Sequence, residues 1–138
     1  GVIVLTVPIP SFAHDQVKNK AVKARMAAMK ELASNMKLFG AISKGKRAFD
    51  KSEAREIAGR IVLLARQTPN LFQEEATDPE SKAKPEIWFE YEDFVLKAKN
   101  LEQISLEASN AISNSQDVKR VMRQIGKACK SCHEQYKN

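Results

Sequence analysis

The sequence predicts an all-α protein folded as an antiparallel four-helix bundle with up-down-up-down topology. Four stretches repeat apolar residues at the i, i+3, i+4, i+7 spacing of an amphipathic helix. Only five Gly and five Pro occur among the 138 residues. Two of the three connections between these stretches are short, which favours sequential helices that are antiparallel neighbours. At this length the chain is expected to form one domain.

The first predicted helix runs from Asp15 to Ile42, with lysines along its polar side. No proline interrupts it. Gly40 and Gly45 are expected to end it in a basic loop, residues 43–47. Its apolar face is predicted to contain Val17, Val22, Met26, Met29, Ala33, Met36 and Phe39.

The second predicted helix runs from Asp50 to about Gln67. Asp50 is followed three residues later by Glu53, which is the pattern of a capping box at a helix N-terminus. Pro69 is expected to stop this helix, because proline lacks the N–H that a helix interior requires. The predicted buried face consists of Ala54, Ile57, Ile61, Leu64 and Ala65.

Residues 68–84 are polar, contain two prolines and show no helical period, so they are predicted to be the longest connection. Leu71 and Phe72 are expected to pack against the end of the bundle. Pro85 suits the first turn of the third helix, and Trp88 lies beside its apolar face. That face is predicted to contain Ile87, Tyr91, Phe94, Ala98, Leu101, Ile104 and Ala108.

Residues 113–117 are predicted to form a turn and an N-terminal cap, with Asp117 favourable at the start of the fourth helix. The last residues of this helix carry a cysteine motif. The predicted core-facing side contains Val118, Val121, Met122, Ile125, Ala128, Cys129, Cys132, His133 and Tyr136. The motif therefore faces the core, as a cofactor site in a bundle would.

The motif is Cys129-Lys130-Ser131-Cys132-His133. C-x-x-C-H is the attachment signal of a c-type haem, in which both thiols add to haem vinyl groups and the next residue ligates iron. Helical residues three apart lie on one face about 5–6 Å apart. Both sulfurs can therefore meet one edge of a porphyrin, with the His133 imidazole beneath the iron.

Three other interpretations of the cysteines compete with haem attachment. A thioredoxin-type dithiol should lie at a helix N-terminus, where the dipole lowers the thiol pKa, whereas this pair lies near a helix C-terminus. A zinc site needs about four ligands, and the chain adds only the distant His14 to the motif. A disulfide between Cys129 and Cys132 would close a very small loop and stabilise little.

The first thirteen residues are predicted to be the remnant of a secretory signal peptide, and residues 14–138 the bundle domain. The stretch is apolar, too short to span a bilayer, and ends with Ser11 and Ala13 at the two positions that a signal peptidase reads. The mature protein is expected to begin near His14 or Asp15 and to be exported to a bacterial periplasm. Export agrees with the motif, because covalent haem attachment takes place outside the cytoplasm.

The net charge of +6 is unevenly distributed. Residues 1–66 hold 13 Lys or Arg against 5 Asp or Glu, residues 67–110 hold 4 against 10, and residues 111–138 hold 6 against 2. Such asymmetry usually reflects solvated helix faces, and it also suits steering of an acidic partner. Nucleic-acid binding is not expected, given the export signal and the acidic third helix.

These residues resemble the class II c-type cytochromes, the family of cytochrome c′ and its low-spin, methionine-ligated relatives. The resemblance covers nearly all of the predicted mature chain. It is carried by the haem motif followed by Glu134-Gln135-Tyr136-Lys137, by residues 23–30, and by Pro85-Glu86-Ile87-Trp88 with Asp93-Phe94. A haem motif at the C-terminal end of a helical chain is selective, because class I cytochromes carry it near their N-terminus.

The resemblance implies that Cys129 and Cys132 hold one haem c and that His133 is the proximal iron ligand. It also implies that Met29 lies over the distal face of the haem. The apolar pattern alone does not select Met29, because methionine more often fills core gaps than binds metal. The other methionines, Met26, Met36 and Met122, also lie on apolar faces.

Arg25 matches the family position that pairs with a haem propionate. The other interpretation of this residue is a surface arginine in contact with solvent. Trp88 would pack near the haem, or serve as an ordinary core tryptophan. Lys137 falls where many cytochromes c′ have an arginine beside the proximal pocket; lysine keeps the charge and loses the planar fork.

The resemblance implies one-electron transfer in the periplasm if the Met29 sulfur binds iron. If Met29 only covers the iron, it implies a five-coordinate, high-spin cytochrome c′ that binds nitric oxide or carbon monoxide. An interpretation of another class is a haem-free helical binding module with structural cysteines. An enzyme is not predicted, because no general acid–base constellation is evident. The expected partners are redox proteins; no membrane span is expected in the mature chain, and a homodimer is left open.

Overall fold

Five helices account for most of the chain in the computed structural model, which describes residues 16–138. Residues 1–15 lie outside the described part, and with them the predicted signal remnant, residues 1–13, and His14. The helices are α1 (Lys20–Ser43), α2 (Lys51–Leu71), α3 (Glu86–Phe89), α4 (Tyr91–Ala111) and α5 (Ser115–Tyr136).

The four long helices form the predicted antiparallel bundle. Helix α1 packs against α2 and α5, and α4 also packs against α2 and α5, so sequential long helices are neighbours and the ring closes. The Arg25 Nε near the start of α1 donates to the Leu71 carbonyl at the end of α2. The Arg55 Nε near the start of α2 donates to the Ile112 carbonyl after α4. These contacts join the beginning of one helix to the end of its neighbour, as an antiparallel arrangement requires.

Side-chain caps begin three of the helices. The Asn19, Asp50 and Asn114 side chains accept hydrogen bonds from the backbone N–H of Val22, Glu53 and Asp117 respectively. The capping box predicted at Asp50 is half formed, because the Glu53 carboxylate instead accepts from Arg47 at 2.7 and 3.0 Å. The Asp117 carboxylate accepts from the Ser113 N–H at 2.8 Å, which supports its predicted place at the start of α5.

The predicted first helix is too long at its start, and its buried face is rotated. Residues 17–19 are not helical, because Asn19 provides the cap. Gly40 lies inside α1, and the chain turns at Gly45, whose φ of 72° favours glycine. Ala33 is exposed, whereas Arg25 and Asn35 are buried. Apolar periodicity could not identify a buried arginine, and therefore misplaced part of this face.

The prediction that Pro69 stops the second helix is wrong. Helix α2 continues through Pro69 to Leu71. The carbonyl groups at this end find side-chain donors: the Tyr91 hydroxyl donates to Pro69 at 2.6 Å, and Arg25 donates to Leu71 at 2.6 Å. Because Pro69 lies in the last turn, its missing N–H costs one helical hydrogen bond, and these donors satisfy the exposed carbonyls.

The predicted third helix is two helices. Glu90, with φ −123° and ψ 39°, separates the short α3 from α4. The break turns α3 so that Ile87 remains buried while Phe89 is exposed. Helical periodicity is nearly continuous across Glu90, so the sequence pattern did not reveal the break.

Two groups of buried residues form the interior. The larger group runs along the bundle and includes Phe39, Ile57, Ile61, Ile112 and Ile125. The smaller group lies at the end of α2 and consists of Phe72, Ile87, Phe94 and Tyr136. Leu71 and Phe72 therefore pack where they were predicted, and the predicted buried residues of α2 are all buried. Among the described helices, none has a stretch long and apolar enough to cross a bilayer.

Replacing Asp50 by Ala is expected to lower the free energy of unfolding by about 1 kcal/mol, because the Glu53 N–H at the start of α2 loses its acceptor. Urea unfolding measures the change. Asp50→Asn keeps an acceptor and is expected to retain most of the stability; an equal loss in both variants would contradict the capping role.

Candidate functional site

A cavity of about 290 Å³ opens between α1, the last turn of α5 and the α2–α3 connection, residues 72–85. Its walls are mostly apolar, which suits a hydrophobic ligand. The smaller buried group forms part of the wall through Phe72, Ile87, Phe94 and Tyr136. The remaining lining residues are Val22, Arg25, Met26, Met29, Thr68, Glu80, Ser81, Lys82, Ala83, Cys132, His133 and Lys137.

The cysteine motif lies in the last turns of α5, where the sequence placed it. Cys132 and His133 line the cavity, and Cys129, one turn earlier, packs against the larger buried group. Both cysteines are half-buried free thiols. The helix therefore presents two thiols and an imidazole near one wall of the cavity.

The environment of these thiols does not suit a redox dithiol. Burial raises the pKa of Cys129, and burial raises the pKa of Cys132 to about 11, with Lys97 lowering it and the Cys129 and Asp93 charges raising it further. A thioredoxin-type pair needs a lowered thiol pKa so that a thiolate exists near neutral pH. The thioredoxin-type interpretation is therefore unsupported by the thiol chemistry.

His133 lines the cavity while part of its surface remains exposed to solvent. Burial of the ring and the positive charge of Lys137 lower the pKa of His133. Both effects favour the neutral imidazole, which is the form that ligates metals. Lys137, predicted beside the proximal pocket, also lines the cavity.

The structure separates the four methionines into two pairs. Met26 and Met29, on α1, line the cavity. Met36 and Met122 do not line it and pack against the larger buried group, which Met29 also contacts. A methionine sulfur from α1 and an imidazole from α5 therefore share one cavity, and Met29 is the methionine that also contacts the smaller buried group.

Arg25 is 4% exposed, so the interpretation as a solvated surface arginine is wrong. Its Nε donates to the Leu71 carbonyl at 2.6 Å, and its two terminal nitrogens donate to the carbonyls of Ala76 and Glu74. Burial lowers the pKa of Arg25, and Glu74 opposes this effect. Three of the five guanidinium N–H groups are thus directed to the end of α2 and the α2–α3 connection.

Trp88 packs beside Arg25 but does not line the cavity. The Arg25 Cζ lies 5.0 Å from the Phe72 ring centroid and 5.5 Å from that of Trp88, within the range of cation–π contacts. The Trp88 Nε1 donates to the Phe72 carbonyl at 2.8 Å. In this structure Trp88 supports the cavity wall from behind.

The α2–α3 connection is attached to the bundle at both sides of the cavity. At one side, the Asp78 carboxylate accepts from the backbone N–H of Lys18 and Asn19 at 3.0 and 3.1 Å. At the other side, the Lys84 N–H donates to the Tyr136 carbonyl at 2.9 Å and the Asn138 N–H donates to the Lys82 carbonyl at 2.8 Å. These bonds hold the connection as a wall of the cavity.

Sequence analysis did not anticipate the contacts that join α4 to the end of α5. The Tyr136 hydroxyl donates to the Asp93 carboxylate at 2.5 Å, and Tyr136 is 2% exposed. The Tyr136 ring meets the Phe94 ring edge-on, with centroids 5.4 Å apart. Asp93 is in the first turn of α4 and Tyr136 is the last residue of α5. No sequence signal indicated that these two residues meet.

Comparison with known proteins gives a consistent result. A family model described as "Cytochrome C'" matches residues 20–137. A cytochrome c-556 of Agrobacterium tumefaciens strain B2A is 31% identical over 117 residues, covering 84% of this chain and 95% of the relative. A cytochrome c-556 of Rhodopseudomonas palustris is 28% identical over 143 residues, covering 100% of this chain and 93% of the relative.

A solved structure is also similar. The NMR-validated structural model for oxidized cytochrome c556 of R. palustris superposes with a TM-score of 0.79 at 26% identity, covering 88% of this chain and 98% of that chain. The similarity therefore extends over the whole bundle and includes the helix that carries the cysteine motif.

Replacing Arg25 by Met is expected to release the α2–α3 connection and to lower the free energy of unfolding by about 3 kcal/mol, because hydrogen bonds from a charged donor contribute about 1.5–3 kcal/mol each. A glutamate-specific protease would then cleave faster after Glu74 or Glu75. Lys23→Met removes an exposed cation of the same helix and serves as the control. Equal cleavage rates in the two variants would contradict the restraining role of Arg25.

Proposed function

The chain belongs to the cytochrome c′ family, the class II c-type cytochromes, and from this premise we propose that it is a periplasmic carrier of single electrons. It binds one haem c covalently. In this proposal Cys129 and Cys132 form the thioether bonds, His133 is the proximal iron ligand and Met29 is the distal ligand. The observation that carries the proposal is the apolar cavity that Cys132, His133 and Met29 line together.

The residues of the site fit this prosthetic group. The two free thiols are one helical turn apart on α5, as attachment to two vinyl groups requires. The imidazole is held towards its neutral form, and a thioether from α1 enters the same cavity. Imidazole and thioether are nitrogen and sulfur ligands that suit haem iron.

When bound, the haem supplies a reversible one-electron couple at its iron. The chain's own residues determine the surroundings of that couple. The His133 imidazole and the Met29 thioether would hold the iron, and a methionine ligand raises the reduction potential. Phe72, Ile87 and Phe94 give the cavity an apolar lining, which disfavours additional charge there.

A second candidate function is a five-coordinate cytochrome c′ that binds nitric oxide or carbon monoxide. It is favoured by Met26, which lines the cavity one turn from Met29: two flexible methionine side chains can fill the distal space without either one binding iron. In that case the same cavity would admit a diatomic gas beside the haem.

Electron transfer, rather than catalysis of a substrate, is the proposed activity. Redox proteins are the proposed partners, and the uneven charge of the chain favours partners with acidic surfaces. The periplasmic location is proposed from the apolar stretch at residues 1–13, as the remnant of a signal peptide, and from the requirement of covalent haem attachment for an extracytoplasmic compartment. The bundle domain proper is residues 14–138. A homodimer is compatible with this proposal.

The Met29→Ala variant is expected to lose the sulfur-to-iron charge-transfer band from the ferric absorption spectrum, because the axial thioether is removed. Met26→Ala is the matched control, since Met26 lies in the same cavity on the same helix; it should retain the band. A high-spin spectrum that Met29→Ala leaves unchanged would rule out ligation by Met29.

The Cys129→Ala, Cys132→Ala double variant is expected to lose haem staining after denaturing electrophoresis, because only a covalently bound haem remains with the chain. The variant should also be loosened and only partly helical by circular dichroism. Lys130 lies inside the motif and is exposed, so Lys130→Ala is the control and should retain the haem stain. An unstained wild-type chain would instead favour a haem-free binding module.

A further inference from the structure

Helix α4 contacts the haem-attachment turn of α5 through two charged side chains of opposite sign. The Asp93 carboxylate accepts a hydrogen bond of 2.5 Å from the hydroxyl of Tyr136, which follows His133 by three residues. The Lys97 Nζ donates to the Ser131 Oγ at 3.1 Å, between the two cysteines. Asp93 and Lys97 are one helical turn apart, and their charged atoms are 3.9 Å apart.

These two side chains of α4 are better shielded from water than the ion pair that the haem-attachment turn of α5 itself carries. The Lys97 side chain is 23% exposed and that of Asp93 is 47% exposed. The pair Lys130–Glu134 lies on the solvent side, with side chains 76% and 67% exposed and charged atoms 3.8 Å apart. Because water and salt screen exposed charges most strongly, Asp93 and Lys97 act more strongly on the interior.

We propose that Asp93 and Lys97 are positioning residues that fix the haem-attachment turn against α4 and adjust the reduction potential of the haem in opposite directions. The inference rests on the proposed function, because it requires a haem at this turn. The oxidised haem centre carries one more positive charge than the reduced centre. A nearby carboxylate therefore stabilises the oxidised form and lowers the potential, whereas a nearby ammonium raises it.

The test compares charge-removing variants of the haem-loaded protein by potentiometric titration. Asp93→Asn retains an oxygen that can accept from Tyr136, so it removes charge with little change of shape. Its reduction potential is expected to rise. Lys97→Met removes the ammonium and is expected to lower the potential, while Lys97→Arg keeps the charge and should stay near the wild-type value.

The exposed pair gives the matched controls. Glu134→Gln and Lys130→Met make the same charge changes on the solvent side of the haem-attachment turn and are expected to shift the potential less than Asp93→Asn and Lys97→Met. A general loosening of the haem site would shift both α4 variants in the same direction. Shifts of opposite sign that exceed those of the controls support the proposal.

Shifts of the same sign, or shifts no larger than those of the controls, would overturn the inference while leaving the electron-carrier function intact. A wild-type protein without covalent haem would overturn the proposed function itself, so the two failures are distinguishable. If Asp93→Asn fails to fold, the comparison of Lys97→Met with Lys97→Arg decides the question alone.

Discussion

The Arg25 guanidinium bound to the carbonyl end of α2 is the interaction on which the cavity depends. A cation suits this position because the C-terminal end of a helix carries partial negative charge. Arg25 reaches the Leu71 carbonyl and then the carbonyls of Glu74 and Ala76, beyond the helix. One side chain of α1 therefore fixes where α2 ends and how the following connection begins.

The same interaction explains several features of the chain that otherwise look unrelated. Helix α2 continues beyond Pro69 because its last carbonyls are satisfied by Arg25 and Tyr91. The connection that follows passes beside the cavity and is attached again at Asp78 and at Lys82. A polar loop thereby becomes one wall of an apolar cavity, and its backbone groups still find hydrogen-bond partners.

The sequence allowed much of this organisation to be predicted. The bundle, the buried face of α2 and the position of the cysteine motif followed from helical periodicity and residue spacing, because these are local properties of one helix. Contacts between distant segments did not follow. Arg25 was expected to pair with a propionate or with water. It instead binds carbonyls at the end of α2 and in the α2–α3 connection, and helical periodicity does not describe where that connection lies.

The methionines also show that local sequence patterns do not predict contacts between helices. All four lie on apolar faces, and the sequence pattern could not separate them. The packing of α1 against its neighbours brings Met26 and Met29 to the cavity and leaves Met36 and Met122 elsewhere. Choosing between Met26 and Met29 depends on the bound haem, because both side chains are flexible enough to reach the same space.

The division of the interior into two groups of buried residues has a consequence for how the protein is ordered along its length. The larger group is built mainly from aliphatic side chains of all four long helices and does not line the cavity with its most deeply buried members. The smaller group, with four buried members, borders the cavity on one side. Backbone amides around Ile57 and Ile125 should therefore resist exchange with deuterium even before the prosthetic group arrives, while those around Phe72 and Ile87 acquire their protection afterwards. Before the haem is attached, the chain would thus be rigid at one end of the bundle and yielding at the other.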